Sequence, residues 1–424
     1  MTFKATEKGQ ALVLIALAAV GLFAFAALAI DGSRVFSDRR HAQNAADTSA
    51  LAAALAKTRV QDWEAAARYR ATSNGYTSNS TTLVEVYLCD DIRASCTALP
   101  TGAKKDEYIQ VKIKSTVQTY FAQVIGRSKM INRVDAVAHV IPGYRKSLFS
   151  GQAMVAVDKH DCAAYVYNGG GEVTVTGSGI FVNSDCSSTN PAALNSNANG
   201  AGLDVPCYTV VGTLNDSKAT VTTSGPCSSS TGDITKQIAD PLAAFPRPAV
   251  SCPNNAPVGN TATVLNPGYY TGSNFPPING ALTLTPGIYC IDVSNGFNVT
   301  GGTSVNGSGV LIYMMSGGVN WNANTALSAS TDPNNQFQGL LLALAPGNNK
   351  SIDIQGSGSS TFTGTILAPE SLVKLAGSSG SATELYNQVI ANKISVTGGA
   401  GLVINYQASE QWQPPIPPAI EMNK

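Results

Sequence analysis

Charge is scarce in this chain. Asp, Glu, Lys and Arg supply 13% of its 424 residues, about half the share of an ordinary soluble domain. The 27 basic and 27 acidic residues cancel, so no global field favours a nucleic-acid polyanion and no nucleic-acid partner is expected. His41, His139 and His160 are its three histidines. They lie far apart, and no C-x-x-C spacing occurs, which removes the close ligand pairs of a zinc site. Glycine runs such as Gly169-Gly170-Gly171 and Gly398-Gly399 lack the Lys-Ser/Thr ending of a phosphate loop and read as turns. Between Ala163 and Gly232 only Glu172, Asp185, Asp204, Asp216 and Lys218 are charged, too sparse to supply an obvious cluster of the carboxylates that a polysaccharide hydrolase needs. No enzyme, metal or cofactor is expected.

What the chain does have is 40 glycines, eight cysteines and one long apolar run. The cysteines are Cys89, Cys96, Cys162, Cys186, Cys207, Cys227, Cys252 and Cys290. An even number outside the apolar run suits disulfides in an oxidising compartment, with free buried thiols as the alternative. Pairing in chain order, Cys89–Cys96, Cys162–Cys186, Cys207–Cys227 and Cys252–Cys290, is the simplest expectation, although spacing alone does not fix connectivity.

The apolar run, Ala11 to Ile30, has no charge over 20 residues. At 1.5 Å per residue it matches a bilayer core of about 30 Å. Ala11, Leu14, Leu17, Val20, Phe23, Phe25, Leu28 and Ile30 are therefore the expected lipid-facing anchor. A signal peptide is the competing reading, since Ala27-Leu28-Ala29 is an A-x-A-like cleavage site, but its apolar region is usually about 7–15 residues. Beyond Ile30 the helix formers continue, with Val35, Ala42, Ala45, Ala46, Leu51 and Leu55 at helical spacing. One helix from Gln10 to Lys57 would be about 70 Å long. Arg34, Arg39 and Arg40 follow the span and Lys4 and Lys8 precede it, so the positive-inside rule alone leans against export. The cysteines, and the lack of a second long apolar run, favour an extracytoplasmic bulk.

The segment "KGQALVLIALAAVGLFAFAALAIDGSRVFSDRRHAQNAADTSALAAALA" resembles the N-terminal segment of TadG-like proteins of Flp (Tad) pilus assembly. The shared features are the Gly-Gln start, the apolar run ending in Ala-Ile-Asp-Gly, an aromatic, paired Arg, Gln-Asn-Ala-Ala-Asp and an Ala-rich helix. "VQTYFAQVIG…VDAVAHV" extends the likeness through TadE/TadG-like sequence. The resemblance implies an envelope protein with a pilin-like membrane helix, working with pilin-like Tad partners. Pilin processing after Gly9 would be expected to place a Glu fifth in the mature chain. Leu14 stands there, and no acidic residue occurs between Gly9 and Asp31, so an accessory, permanently anchored protein fits better than a polymerising subunit.

The remaining organisation follows hydrophobic period. Strands are expected over 81–89, 107–116 and 131–142, with a short amphipathic helix around Phe121 to Ile125. From Asp158 short β-rich runs alternate with Gly/Asn/Ser turns. Stacked coils of a β-helix or solenoid are expected, with an antiparallel sandwich as the alternative. "DPLAAFPRPAVSCP" reads as an extended surface strap and the Pro-rich tail as mobile, with Trp412 able to pin its start.

The expected fold is thus α+β, then all-β: 1–9 a cytoplasmic N-terminus, 10–30 a transmembrane helix, 31–150 a pilin-like module, 151–408 a disulfide-stapled body and 409–424 a tail. The functional expectation is a non-catalytic accessory or structural protein of pilus assembly. The alternative is a stand-alone adhesin or glycan-binding module, for which Tyr165, Tyr167, Tyr269, Tyr270, Tyr289 and Tyr313 could form a stacking face, although packing along strands explains them as well. His160-Asp161-Cys162 could suggest a thiol beside a base, but a disulfide is the plainer reading. "DVSNG" at Asp292 resembles the metal loop of von Willebrand A domains, which some TadG-like proteins carry. Asn295-Gly296 stands where a second Ser is required, so it reads as a turn.

Overall fold

The computed structural model describes residues 8–97, 99–197, 202–240, 247–253, 255, 257–276, 278, 280–356, 360–377, 383–398 and 401–423. A long apolar helix with a small antiparallel sheet is followed by a β-rich body of mostly parallel sheet. Two compact units result, one from the residues up to Tyr144 together with those from Ile416 onward, the other Arg145–Pro415.

In the first unit, α1 runs unbroken from Lys8 to Thr58, 51 residues, or about 76 Å. Its two halves bury opposite amounts of surface. Leu14, Leu17, Val20, Phe23, Phe25 and Leu28 are all exposed, up to 76% at Phe23, while of Ala11 only the helical backbone is described. By length and composition this is a helix able to cross a membrane. Further along, Ala42, Ala45, Ala46, Ala50, Ala53 and Ala54 are fully buried. Their three- and four-residue spacing puts them on one face, where methyl-sized side chains let α1 lie close to the sheet.

That sheet comprises β1 (Thr82–Leu88), β2 (Tyr108–Gln118) and β3 (Lys129–Ile141), all antiparallel. Val84, Val86, Val111, Ile113, Val134 and Ala136 face the alanine stripe. Asp62 caps α2 (Trp63–Ser73) by accepting the Ala65 N–H at 2.9 Å, and Ala67 and Ala71 are buried in the same core.

The tail departs from the sequence expectation. Ala419–Asn423 pairs antiparallel with β3, Val140 opposite Ile420 and Ala138 opposite Met422. His139 of β3 contacts Glu421 at 3.0 Å and stacks on Tyr108 at 4.2 Å. The alternating apolar residues Ile420 and Met422 complete the sheet, so the chain end belongs to this unit. The two compact units divide at 144/145 and 415/416. The reason is packing: Leu148 and Trp412 are both buried in the body's core.

In the body, every strand pairing described is parallel, and pairing joins each turn of chain to the next. One ladder passes through Gly268–Thr271, Gly287–Asp292, Val310–Ser316 and Leu340–Leu344. It continues through the middle of Thr361–Ala376 and of Thr383–Gly398 to Met154–Ala156, Ile180–Val182 and Tyr208–Val210. Two further ladders run alongside, one through Ile352–Gln355 and Tyr165–Gly169, the other through Ser304–Ser308 and Val173–Thr176. The last strands of the body in sequence therefore pair with the first, with Val389 beside Met154 and Leu402 beside Val173.

Equivalent rungs carry equivalent side chains. Ile366, Val389, Met154 and Ile180 are in register and fully buried. Their alternate neighbours Leu367, Ile390 and Val155 are buried too, under Leu148, Phe337 and Trp412. Both faces of that ladder are covered, which is why its strands read as continuous apolar runs. Inside, Phe275, Phe297, Trp321 and Phe362 form an aromatic file with centroids 5.3 to 5.7 Å apart. Asn215 donates to Asn195 at 2.9 Å, Asn195 to Asn197 at 2.7 Å, and Asn197 to Asn168 at 3.1 Å, so amides as well as methyls are stacked.

Candidate functional site

The apolar run of α1 stops at Ile30, and the next residue is acidic. Asp31 is only 5% exposed, yet its carboxylate is satisfied from 89 to 91 residues away. It accepts the backbone N–H groups of Tyr120 and Phe121 at 2.9 Å each and of Ala122 at 2.7 Å. These N–H groups open a short 3₁₀ turn, Ala122–Ile125, whose own N-cap, Phe121, has no capping side chain. Asp31 supplies the missing cap from another element. The hydrogen bond from Tyr120, joined by those from Ala122 and Phe121 and by nearby Arg34, holds the Asp31 carboxyl below its usual pKa although desolvation opposes this. The turn closes at Gly126, φ +80°, which a side chain would strain.

Two helical turns on, Asp38 repeats the device. Its carboxylate accepts Asn132 Nδ2 at 2.6 Å and the Ser115 hydroxyl, two residues paired across β2 and β3. The Tyr76 hydroxyl donates to Asp38 Oδ1 at 3.1 Å, and burial, reinforced by that carboxylate, pushes the phenol's pKa up. Gln43 donates to the Asp135 carbonyl at 2.9 Å and to Asp47 at 2.8 Å. The polar residues of the Ala-Ile-Asp-Gly, Ser-Asp-Arg-Arg and Gln-Asn-Ala-Ala-Asp segments thus clamp the sheet to the helix just beyond the span. Sequence reasoning singled out the segments but not the partners, which lie in distant strands.

The clamp creates an apolar groove of about 450 Å³, lined by Phe23, Ala24, Ala27, Leu28, Phe121, Ala122 and Val124 with Asp31 at its head. Of the expected anchor residues, Phe23 and Leu28 line this groove, and Leu14, Leu17, Val20, Phe25 and Ile30 are exposed on the helix.

In the body, a polar cavity of about 680 Å³ opens at one corner of the coils, lined in part by Asp158, Lys159, His160, Asp240, Glu370 and Asn392. Folding gathers charge here that is scattered in sequence. Asp158 accepts the N–H groups of His160 and Asp161 and the Asn392 amide. Asp161 pairs with Lys393, Asp185 with His160 at 3.0 Å, and Glu370 with Arg247 at 2.5 Å. The bond to His160 lowers the Asp185 pKa, the reverse of a carboxyl tuned to donate a proton. Among the described residues no group of three or more His, Cys, Asp or Glu side chains is placed to hold a metal ion.

The other sequence candidates take structural places. The eight cysteines form four disulfides: Cys89–Cys96, Cys162–Cys186, Cys207–Cys227 and Cys252–Cys290. Cys162 is therefore no nucleophile beside His160. Asp292 accepts the Tyr269 hydroxyl at 3.0 Å and the Ser316 hydroxyl at 2.5 Å, from the coils on either side. Gly296, φ +76°, has a neighbouring Gly318 carbonyl so close that a Cβ would lie 2.2 Å from it. That loop is a tight turn between the strands Gly287–Asp292 and Phe297–Val299. Tyr165, Tyr167, Tyr270 and Tyr289 point into the core, where no glycan can reach their rings.

Residues 9–59 match the family model described as "Putative Flp pilus-assembly TadE/G-like". The match covers the apolar run, Asp31, Asp38, Gln43 and the alanine stripe, and the parallel body lies outside it. No curated protein matches the chain, and no solved structure does.

Proposed function

We propose that this chain is a membrane-anchored, exported accessory protein of a Tad (Flp) type pilus assembly and adhesion system. The observation that carries the reading is the coincidence of the matched segment, residues 9–59, with a single device: a span, a clamp and a stalk in one helix. Gln10–Ile30 holds the bilayer, and Val35–Lys57 carries the sheet. The bulk lies on the extracytoplasmic side, where four disulfides can form and persist. The body is a solenoid of stacked coils, displayed by the anchor, and its role is structural and non-catalytic: the carboxylates gathered at its corner cavity are engaged as hydrogen-bond and ion-pair acceptors. Pilin-like Tad partners meet the chain through the small residues of the span, which permit close helix packing.

Placing Asp at both Leu17 and Leu22 tests the reading, since each intramembrane carboxylate costs about 2.5–3.5 kcal/mol on insertion scales. The double variant should leave the membrane fraction and lose pilus-linked adhesion. Normal adhesion by a released protein would end the proposal.

A further inference from the structure

We propose that the loop from Tyr120 to Gly126 is a second membrane-contact element, lying in the lipid interface beside the span. Its ligand is the bilayer itself, the upper acyl chains with phosphate groups above them. This rests on the anchor reading above and adds where the folded unit meets the lipid.

Depth is the first argument. Asp31 holds the start of the loop at the end of the apolar run. From there Phe121, Ala122 and Val124 reach back along α1 to line a groove with Leu28, Ala27, Ala24 and Phe23. Leu28 and Phe23 lie about 4.5 and 12 Å below Asp31 along the helix axis. A bilayer that covers those residues of the span also covers the loop beside them.

Composition is the second. Tyr120, Phe121 and Val124 are 63%, 46% and 90% exposed, an apolar tip continuous with the exposed span. Among the described residues nothing covers Val124, whereas lipid would.

Charge is the third. Arg34 lies over the Tyr120 ring, 4.1 Å from its centroid, and Arg39, Arg40, Arg127 and Lys129 are exposed nearby in sequence to the span end or the loop. The nearest acidic groups, Asp31 and Asp38, are engaged inside the clamp. Tyr is enriched at both membrane–water interfaces, and Arg or Lys side chains near the end of a span can reach lipid phosphates. Two attachment points, helix and loop, would fix the helix's rotation and tilt.

The test uses the full chain reconstituted in phosphatidylcholine–phosphatidylglycerol vesicles with acyl chains brominated near the glycerol end. Tryptophan is added singly as Val124→Trp, Tyr120→Trp, Phe23→Trp or Val60→Trp, and the unsubstituted protein, with its three native tryptophans, sets the baseline. The proposal predicts loss of the added emission for Val124→Trp and Tyr120→Trp, as for Phe23→Trp, and none for Val60→Trp, just past the far end of α1. Quenching of Phe23→Trp alone, with the loop tryptophans open to aqueous acrylamide, would overturn the loop contact and leave the anchor standing. Loop tryptophans shielded from both quenchers would mean that a second copy fills the groove, which also overturns it. An unquenched Phe23→Trp would remove the anchor and this proposal together.

Discussion

Asp31 Oδ2 accepts the Ala122 N–H at 2.7 Å, although the two residues are 91 apart in the chain. That bond joins the end of the apolar run to a loop between two strands, and so couples the apolar half of α1 to the folded sheet. Asp31→Ala removes all three acceptor contacts at once. Amide exchange at Tyr120, Phe121 and Ala122 should accelerate at neutral pH while exchange in β2 and β3 stays slow. Unchanged exchange at those three amides would show that the carboxylate does not hold the loop.

The same contact sets a pH dependence. The carboxyl's pKa is lowered in the folded chain, so its contribution is fully present above the ordinary carboxylate value of about 3.9. It is lost as pH falls through the lowered folded value. Loop protection, corrected for intrinsic exchange rates, should therefore persist at pH 5 and collapse only below about pH 4. Collapse between pH 6 and 5 would contradict this assignment.

Ala50 is fully buried between α1 and the sheet. Ala50→Leu inserts three carbons where methyl groups already touch, at a cost of about 1–3 kcal/mol. The melting temperature of the first unit should drop by several degrees, read by calorimetry. An unaltered transition would mean that the helix does not pack there.

Trp321 is fully buried in the aromatic file, and its indole N–H has no partner among the described residues. Trp321→Ala should cost about 3–5 kcal/mol. Trp321→Phe should cost much less, because it keeps the stack against Phe362 while removing an unsatisfied donor. Equal destabilisation by the two changes, measured in urea, would rule that account out.

Cys252 ties the Pro-punctuated segment to Cys290 of a central coil, closing a separation of 38 residues. Replacing both with Ala should cost about 2–4 kcal/mol and open residues 247–253 to limited proteolysis, with the coils still folded. Mass spectrometry of the first fragments reads this directly. If cleavage began instead within the coils, the disulfide would be supporting the ladders and not the strap.

The span and the strands of the first unit were legible because their signals are local: a charge-free run at Ala11–Ile30 and period-two alternation in β1 to β3. The clamp was not. Nothing near Asp31 in sequence announces Tyr120, since a buried carboxylate finds its donors only after the sheet has placed them. The tail was misread because Pro414, Pro415, Pro417 and Pro418 dominate its composition, while the alternation that makes it a strand lies just beyond, in Ile420 and Met422. In the body, short runs pointed to many strands. The stacking of Val389 on Met154 could not be read, because parallel pairing joins residues whose separation no local pattern encodes. The corner cavity was hidden likewise: Asp158, Glu370 and Asn392 come from different coils.

The most direct measurement is the N-terminal residue of the mature protein taken from purified cell membranes. A permanent anchor with an accessory role predicts a start at residue 1 or 2, upstream of Gly9. A start at Gln10 would contradict the accessory role by showing pilin-type processing, and a start at Ile30 would contradict the anchor itself.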